Sequence, residues 1–427
     1  MRLLVRALPS VLLVLITANV GGDTGPPARS IALVGGTVID GTDRPPRRAT
    51  IVVQGERISA VVPPQSPLPP GATIVDVSGR TLIPGLVDTH LEWIQAKEPA
   101  SRAQALGALL DAGVTTVRVF GEDTHELIAT RDAVRAGAIA GPRIVISGPR
   151  IDANDNWDEK RLQEALRDQP RSARFVVLGP DTPPALTALA VKQARGGGRS
   201  VTGALRRTTW TKAARAHVNL LEGPAPWSDF YLAPHHREAF RRRLSREGLR
   251  SAQVQWLESV DLDSEEIARL VCWLRRGEVF VEPRLEHFAR GLPPETRPGR
   301  GVWPTLLALV YRYHSGGVRL VAGSGADSNL HAELLRLAAT GIPPGELIQI
   351  ATRNGADALG YSDAVGTLEV GKVADIVVLA SSPLVDIAHS RDIERVYVRG
   401  QEWHTKESSG PGPSDECPTT THVAEVR

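Results

Sequence analysis

After Met1 the chain has no methionine, and its 427 residues include only two cysteines and 4% aromatic side chains. Cys272 and Cys417 stand far apart, so neither a cysteine-based metal cluster nor a disulfide framework is expected. Cys272 lies in the apolar run "EEIARLVCWL", where a buried structural thiol is expected. Net charge is also lacking: 50 basic against 48 acidic residues leaves +2, without the electrostatic footprint that nucleic acid requires. The bases are overwhelmingly arginine, which together with the missing methionine reflects a GC-rich genome rather than a function. No apolar run is long enough for a firm membrane span. The strongest, "ALPSVLLVLITANV" behind Arg2 and Arg6, has the length and flanks of a signal-peptide core. Residues 1–22 are thus expected to be a signal peptide or an uncleaved N-terminal anchor, giving a periplasmic, extracellular or anchored protein. No cysteine follows that could carry a lipid. Residues 405–427, polar and rich in Pro, Gly and Ser, are expected to form a disordered tail.

A hydrophobic content of 42% supports a large core, and the length exceeds that of most single cores. Residues 31–80 contain short β-type runs ("IALVGGTVID", "ATIVVQGERISAVV", "ATIVDVSGRTL") broken by Gly and Pro. The same texture returns in "ADIVVLASSPL" and "IERVYVRGQEW". Neither end is large enough for its own core, so residues 31–80 and 361–404 are expected to build one small β-sandwich. Between them, at 81–360, strand-like runs alternate with helical patterns. Leu82–Val87 is followed by "TTVRVFG", "RIVISG", "RFVVLG", "RSVTGA", "VNLLEG", "EVFVEP" and "VRLVAGSG". Eight such units predict an α/β fold with a (β/α)8 barrel, whose chemistry sits at the C-terminal ends of the strands.

The alternation, the split β-domain and several phrases resemble the amidohydrolase superfamily, closest to its imidazolonepropionase-like and prolidase-like branch. The phrases are "GGTVIDGT", "GRTLIPGLVDTH", "LDAGVTTVRVFG", "RDAVRAGAIAGPRIVISGPRI", "GGVRLVAGSGAD", "HAELLRLAATGIPPGELIQIATRNGADALG" and "VGTLEVGKVADIVVLASSPL". They cover about residues 31 to 404 in the family's order. The resemblance implies hydrolysis of C–N or C–O bonds in small molecules by a water activated on one or two divalent metals, usually zinc. It further implies a His-x-His pair after strand 1, a carboxylated lysine after strand 4, histidines after strands 5 and 6, and a proton-shuttling aspartate after strand 8.

Matched residue by residue, that constellation is mostly missing. His90 is present after strand 1, but Glu92 replaces its partner. Val177 stands at the lysine position, Gly203 or Ala204 at the next, and Glu222-Gly223 where Glu-His is expected. Ungapped matching puts Gly325 at the aspartate position. A two-residue shift would instead offer Asp327, which also reads as a cap of the following turn or helix. A catalytic zinc needs about three protein ligands and an open position. Valine, alanine and glycine side chains supply none.

Two readings therefore stand. The first is a non-catalytic protein that binds a small molecule in the barrel mouth or serves as an assembly subunit, in a homo-oligomer or with another subunit, with no cofactor. The second is a hydrolase with a reduced mononuclear site in which His90, Glu92 and Asp327 hold zinc or another divalent metal, and Glu92 and Asp327 act as catalytic groups. Acid–base chemistry by Glu92 with Asp327 or Glu222 has only placement behind it. Asp88 reads as a cap of the strand-end loop, and His331-Ala332-Glu333 as a loop-to-helix contact rather than a ligand set. The His235-His236 segment "HHREAFRRRLSRE" reads as a solvated helical face. Trp157 and Trp227 read as aromatic packing.

Overall fold

The computed structural model describes residues 30–92, 99–120, 124–154, 156–291, 301–325 and 329–403. The expectations for residues 1–22, for the tail from 405, for Cys417 and for Asp327 lie outside the described residues.

The N-terminal runs form β1 (Ser30–Val38), β2 (Arg47–Gln54), β3 (Arg57–Val62), β4 (Thr73–Asp76) and β5 (Thr81–Pro84). Gln54 pairs with Arg57 across a two-residue turn, in which Gly55 takes φ +59°. That backbone sign matches the twist of a tight hairpin and suits glycine. The barrel strands follow: β6 (Leu86–Glu92), β7 (Val114–Phe120), β8 (Arg143–Ile151), β9 (Phe175–Leu178), β10 (Ser200–Gly203), β11 (Leu220–Glu222) and β12 (Phe280–Glu282). They lie side by side in chain order, all parallel. Helices on the outer face present one apolar stripe inward. In Glu265–Arg276 the buried residues are Ile267, Leu270 and Leu274, three and four apart. Cys272 sits off that stripe, which explains why it is a half-buried free thiol rather than the fully buried one expected.

The eighth barrel strand is present only in outline. Residues 319–325 bridge β12 through Leu320 and β6 through Gly325, closing the ring without forming a regular ladder. A Cβ on Gly323 would lie 2.6 Å from His90 Cβ and 2.8 Å from Glu282 Cδ. The segment therefore runs against the site side chains, where a bulkier β-former has no room.

The chain then returns to the first sheet through β13 (Ile376–Leu379), β14 (Ile393–Val398) and β15 (Gln401–Trp403). The order β15-β14-β13-β5-β1-β2-β3, with β4 also on β1, makes one mixed sheet from both ends of the chain. Its two central strands serve two cores. Leu82, Ile376 and Val378 face the small core, while Ile83, Val377 and Leu379 face the barrel's core. The expected single strand Leu82–Val87 is thus two strands. Thr81–Pro84 pairs with β13, and the barrel begins at Leu86. Gly85 is the joint: a Cβ there would lie 2.1 Å from Thr115 Oγ1.

Candidate functional site

His90, Glu222 and Glu282 converge at the C-terminal ends of β6, β11 and β12, where the barrel geometry predicts chemistry. His90 is buried, with its ring stacked on Phe120 at 4.2 Å between centroids. Its Nδ1 lies 2.8 Å from Glu282 Oε1 and 3.9 Å from Glu222 Oε2. The 2.8 Å contact is out of line for a hydrogen bond, so it acts as an ion pair when the ring carries its proton. Burial alone would lower the pKa of His90, but the charge of Glu282 and then that of Glu222 outweigh it and raise the pKa. Glu282 shows the converse. Its complete burial favours the neutral acid, yet His90, Arg118 and Arg284 together hold it well below the usual carboxylate range.

Arg118, fully buried on β7, is the centre of this cluster. Its Nη2 donates to Glu222 Oε1 at 3.1 Å and to Glu282 Oε2 at 3.3 Å, and its Nε donates to the Thr89 carbonyl. The guanidinium also lies over Phe120 at 4.3 Å and Phe175 at 5.0 Å. Thr202 Oγ1 donates to Glu222 at 2.7 Å, and Thr89 Oγ1 to Glu282 at 2.9 Å. Asp88 is equally buried but turns away from this group. It accepts from the backbone N–H of His90 and of Ser324, and from the Ser324 hydroxyl. Burial raises its pKa against those bonds. It ties β6 to the eighth-strand segment rather than capping the strand-end loop, because the strand continues to Glu92.

Glu92 sits further out, half exposed. It accepts from Arg284 Nη2 at 3.1 Å and faces His90 Nε2 at 3.7 Å. The neighbouring His90 ring, followed after partial burial by the Arg284 charge, brings Glu92 down to about 2. His90 and Glu92 do come together, but Glu92 is bonded to a guanidinium. The third member of the expected trio, Asp327, is not described. Among the described residues no three His, Cys, Asp or Glu side chains form a group that could hold a metal ion.

The empty ligand positions are shaped for the residues they carry. Val177 is a buried β9 side chain. A Cβ on Gly203 would lie 2.3 Å from the Leu178 carbonyl oxygen. Gly223 has φ +110° and Gly325 φ +76°, conformations that residues with a Cβ rarely adopt. The donor set fits a catalytic metal poorly: one histidine biased toward its protonated form, and carboxylates already bound to arginines.

The remaining expected contacts are structural. His331 is buried between Ser390 Oγ at 2.9 Å and the Ala112 carbonyl at 3.0 Å. Glu333 is also fully buried, and its two oxygens accept the backbone N–H groups of Leu285 at 2.9 Å and Glu286 at 2.7 Å. Burial pushes its pKa up to about 7 despite those bonds. Trp227 stacks on Phe288 at 5.3 Å and meets Trp256 edge-on, while Trp157 carries Arg161 over its ring at 4.4 Å. On the His235-His236 helix, Arg241, Arg242 and Arg243 pair with Asp229, Glu238 and Glu247.

Reading the sequence missed Arg118, Glu282 and Arg284. A charged residue inside the otherwise apolar "TTVRVFG" and a glutamate closing "EVFVEP" were the available signals.

The family model for the amidohydrolase family matches residues 81–196 and 307–402. A 5'-deoxyadenosine deaminase from Methanothermobacter thermautotrophicus is 25% identical over 404 residues, covering 82% of this chain and 84% of that protein. A 5-methylthioadenosine/S-adenosylhomocysteine deaminase from Desulforudis audaxviator is 37% identical over 110 residues, 22% of this chain and only 26% of that protein. A D-aminoacylase from Alcaligenes xylosoxydans is 38% identical over 89 residues, 20% of this chain and 17% of the enzyme. Among solved structures, a putative prolidase from Bifidobacterium longum superposes with a TM-score of 0.67 at 21% identity, over 88% of this chain and 95% of that one. Molinate hydrolase gives the same TM-score of 0.67 at 18% identity, over 94% of this chain and 100% of its own. With its near-closed parallel barrel and a sheet drawn from both ends, this chain belongs to the amidohydrolase family.

Proposed function

We propose that this chain is a non-catalytic member of its family, retaining the barrel mouth as a small-molecule binding site rather than as a hydrolytic centre. The observation that carries this reading is the backbone at three ligand positions. Gly203 has no room for a Cβ, and Gly223 and Gly325 hold conformations suited to glycine, so the loss extends from side chains into the scaffold. The surviving histidine adds support, because the charge of Glu282 outweighs burial and raises its pKa, so a proton competes with a metal for the ring nitrogen's lone pair. With no metal to lower the pKa of water toward neutrality, the family's nucleophile is not formed.

The competing reading is a mononuclear hydrolase using His90, Glu92 and Asp327. The Arg284–Glu92 pair weighs against it, since a metal would have to displace a guanidinium from that carboxylate. The test is hydrolysis with added zinc or manganese. The panel is 5'-deoxyadenosine, S-adenosylhomocysteine, N-acyl-D-amino acids and Xaa-Pro dipeptides, classes drawn from the relatives and structural neighbours. The non-catalytic reading predicts no turnover above buffer. Turnover that is lost in a Glu92→Gln variant would favour the mononuclear site instead. The apolar run behind Arg2 and Arg6 supports export, which cell fractionation of the full-length protein tests.

A further inference from the structure

A second cavity, of about 200 Å3, opens at the N-terminal ends of β9 to β12, the barrel face opposite the mouth. We propose that it binds inorganic phosphate, held by Arg174, Arg195 and His217 and selected by Glu278 for an ion that still carries a proton.

The strand order builds the cavity. The Ser200 N–H donates to the Arg174 carbonyl at 2.9 Å, the Phe280 N–H to the Asn219 carbonyl at 2.9 Å, and the Val281 N–H to the Arg319 carbonyl at 3.0 Å. The entry residues of adjacent strands therefore line one space. Its volume is several times the roughly 30 Å3 of a water and below the roughly 300–1,000 Å3 of most organic-ligand pockets, which suits a small ion.

The lining is rich in donors without acceptors. Arg319 is already paired with Asp357 and lies over Phe280 at 4.0 Å. Arg174 rests over the Tyr361 ring at 4.9 Å, and among the described residues no carboxylate pairs with it or with Arg195. Arg195 stands in the last turn of Pro184–Gly196, where its charge offsets the helix dipole while leaving its N–H groups free. Asn219 Oδ1 accepts the Val201 N–H at 2.8 Å, so its amide NH2 is the end left to donate.

The backbone gives an independent sign. The helices Trp210–Arg215 and Glu265–Arg276 both close with the chain in the left-handed region, at His217 (φ +63°) and Glu278 (φ +52°). Val218 N–H returns to the Ala213 carbonyl and Val279 N–H to the Leu274 carbonyl, each at 3.0 Å, so these helix-end carbonyls are taken. Three other helices place Gly198, Gly317 and Gly360 in the same role. Only the two ends that carry a side chain here put an imidazole and a carboxylate on this cavity. Unfavourable backbone kept for the sake of a side chain is a mark of function. Glu278 would repel a fully deprotonated anion but accepts a hydrogen bond from a P–OH group. Sulfate carries no such proton at neutral pH.

The experiment is calorimetric titration of the full-length protein with sodium phosphate, and separately with sodium sulfate, at neutral pH and matched ionic strength. The expected result is one saturable phosphate site, with sulfate weaker by about tenfold or more. Arg174→Gln and Arg195→Gln should each weaken phosphate by about tenfold or more, and Glu278→Gln should narrow the preference over sulfate. The three side chains are exposed, and near-ultraviolet dichroism checks that each variant is folded. If one arginine variant does not fold, the other decides. No saturable phosphate binding by wild type, binding that survives the arginine substitutions, or equal affinity for sulfate would each overturn the proposal.

Discussion

Glu92→His would restore a His-x-His pair on β6, and the structure predicts that this alone does not produce a hydrolase. Two imidazoles fall short of the roughly three ligands a catalytic zinc needs, and Gly203, Gly223 and Gly325 cannot take up the others without backbone change. The check is the variant assayed with zinc or manganese against amides, lactams and lactones. Turnover by the variant where the parent has none would mean the remaining ligands are in place. Glu333 gives a second residue-scale expectation, concerning pH. Its folded value of about 7 lies above the ordinary 4.5, so between those values the folded state binds the extra proton. Stability from this group is therefore full below pH 4.5 and lost as pH rises toward 7, by on the order of 3 kcal/mol for complete ionisation. Denaturant titrations of Glu333→Gln should lack this component, making the pH dependence between 4.5 and 7 shallower than in the parent. An unchanged slope would place the proton elsewhere. At this scale the sequence disclosed His90 and Glu92, because β6 matches a familiar phrase. It did not disclose that Glu222 and Glu282 share one arginine. Arg118, Glu222 and Glu282 lie more than a hundred residues apart or on different strands, and only barrel closure brings them to one point.

Gly85 is where two elements were read as one. The run Leu82–Val87 is continuously apolar because both halves are buried, β5 between two cores and β6 inside the barrel. A pattern of burial cannot mark a change of sheet. The glycine does mark it, since only a residue without Cβ clears Thr115 as the chain passes from one sheet to the other. Gly85→Ala is expected to destabilise by about 1–3 kcal/mol through overpacking. Adding Thr115→Ala should recover part of that loss, measured by urea unfolding. Full stability in the single variant would show that the joint has slack. The eighth strand illustrates a related limit. Its composition predicts a strand, but at Gly323 contact with His90 and Glu282 leaves no room for a Cβ, and its pairing is limited to isolated bridges. The tight turns are a further case, since "IERVYVRGQEW" reads as one β-type run but holds two strands. Arg399-Gly400 joins β14 to β15 with φ of +51° and +73°, as two-residue hairpins demand.

For the whole molecule, packing joins the barrel to the sheet. The barrel core extends into Ile83, Val377 and Leu379 of the sheet that both ends of the chain build, so the two parts share buried surface. That architecture was readable from repeated strand–helix alternation and from matching β-textures at the two ends. Whether the site still works was not readable from fold kinship, because function depends on the side chains at the mouth. There, carboxylates meet guanidinium groups, and glycines occupy the positions of ligands. The most direct measurement is elemental analysis of the purified full-length protein from cells grown with added zinc and manganese, after dialysis against metal-free buffer. The account predicts far less than one ion of any transition metal per chain. One or two ions per chain, lost on replacing His90, would contradict it.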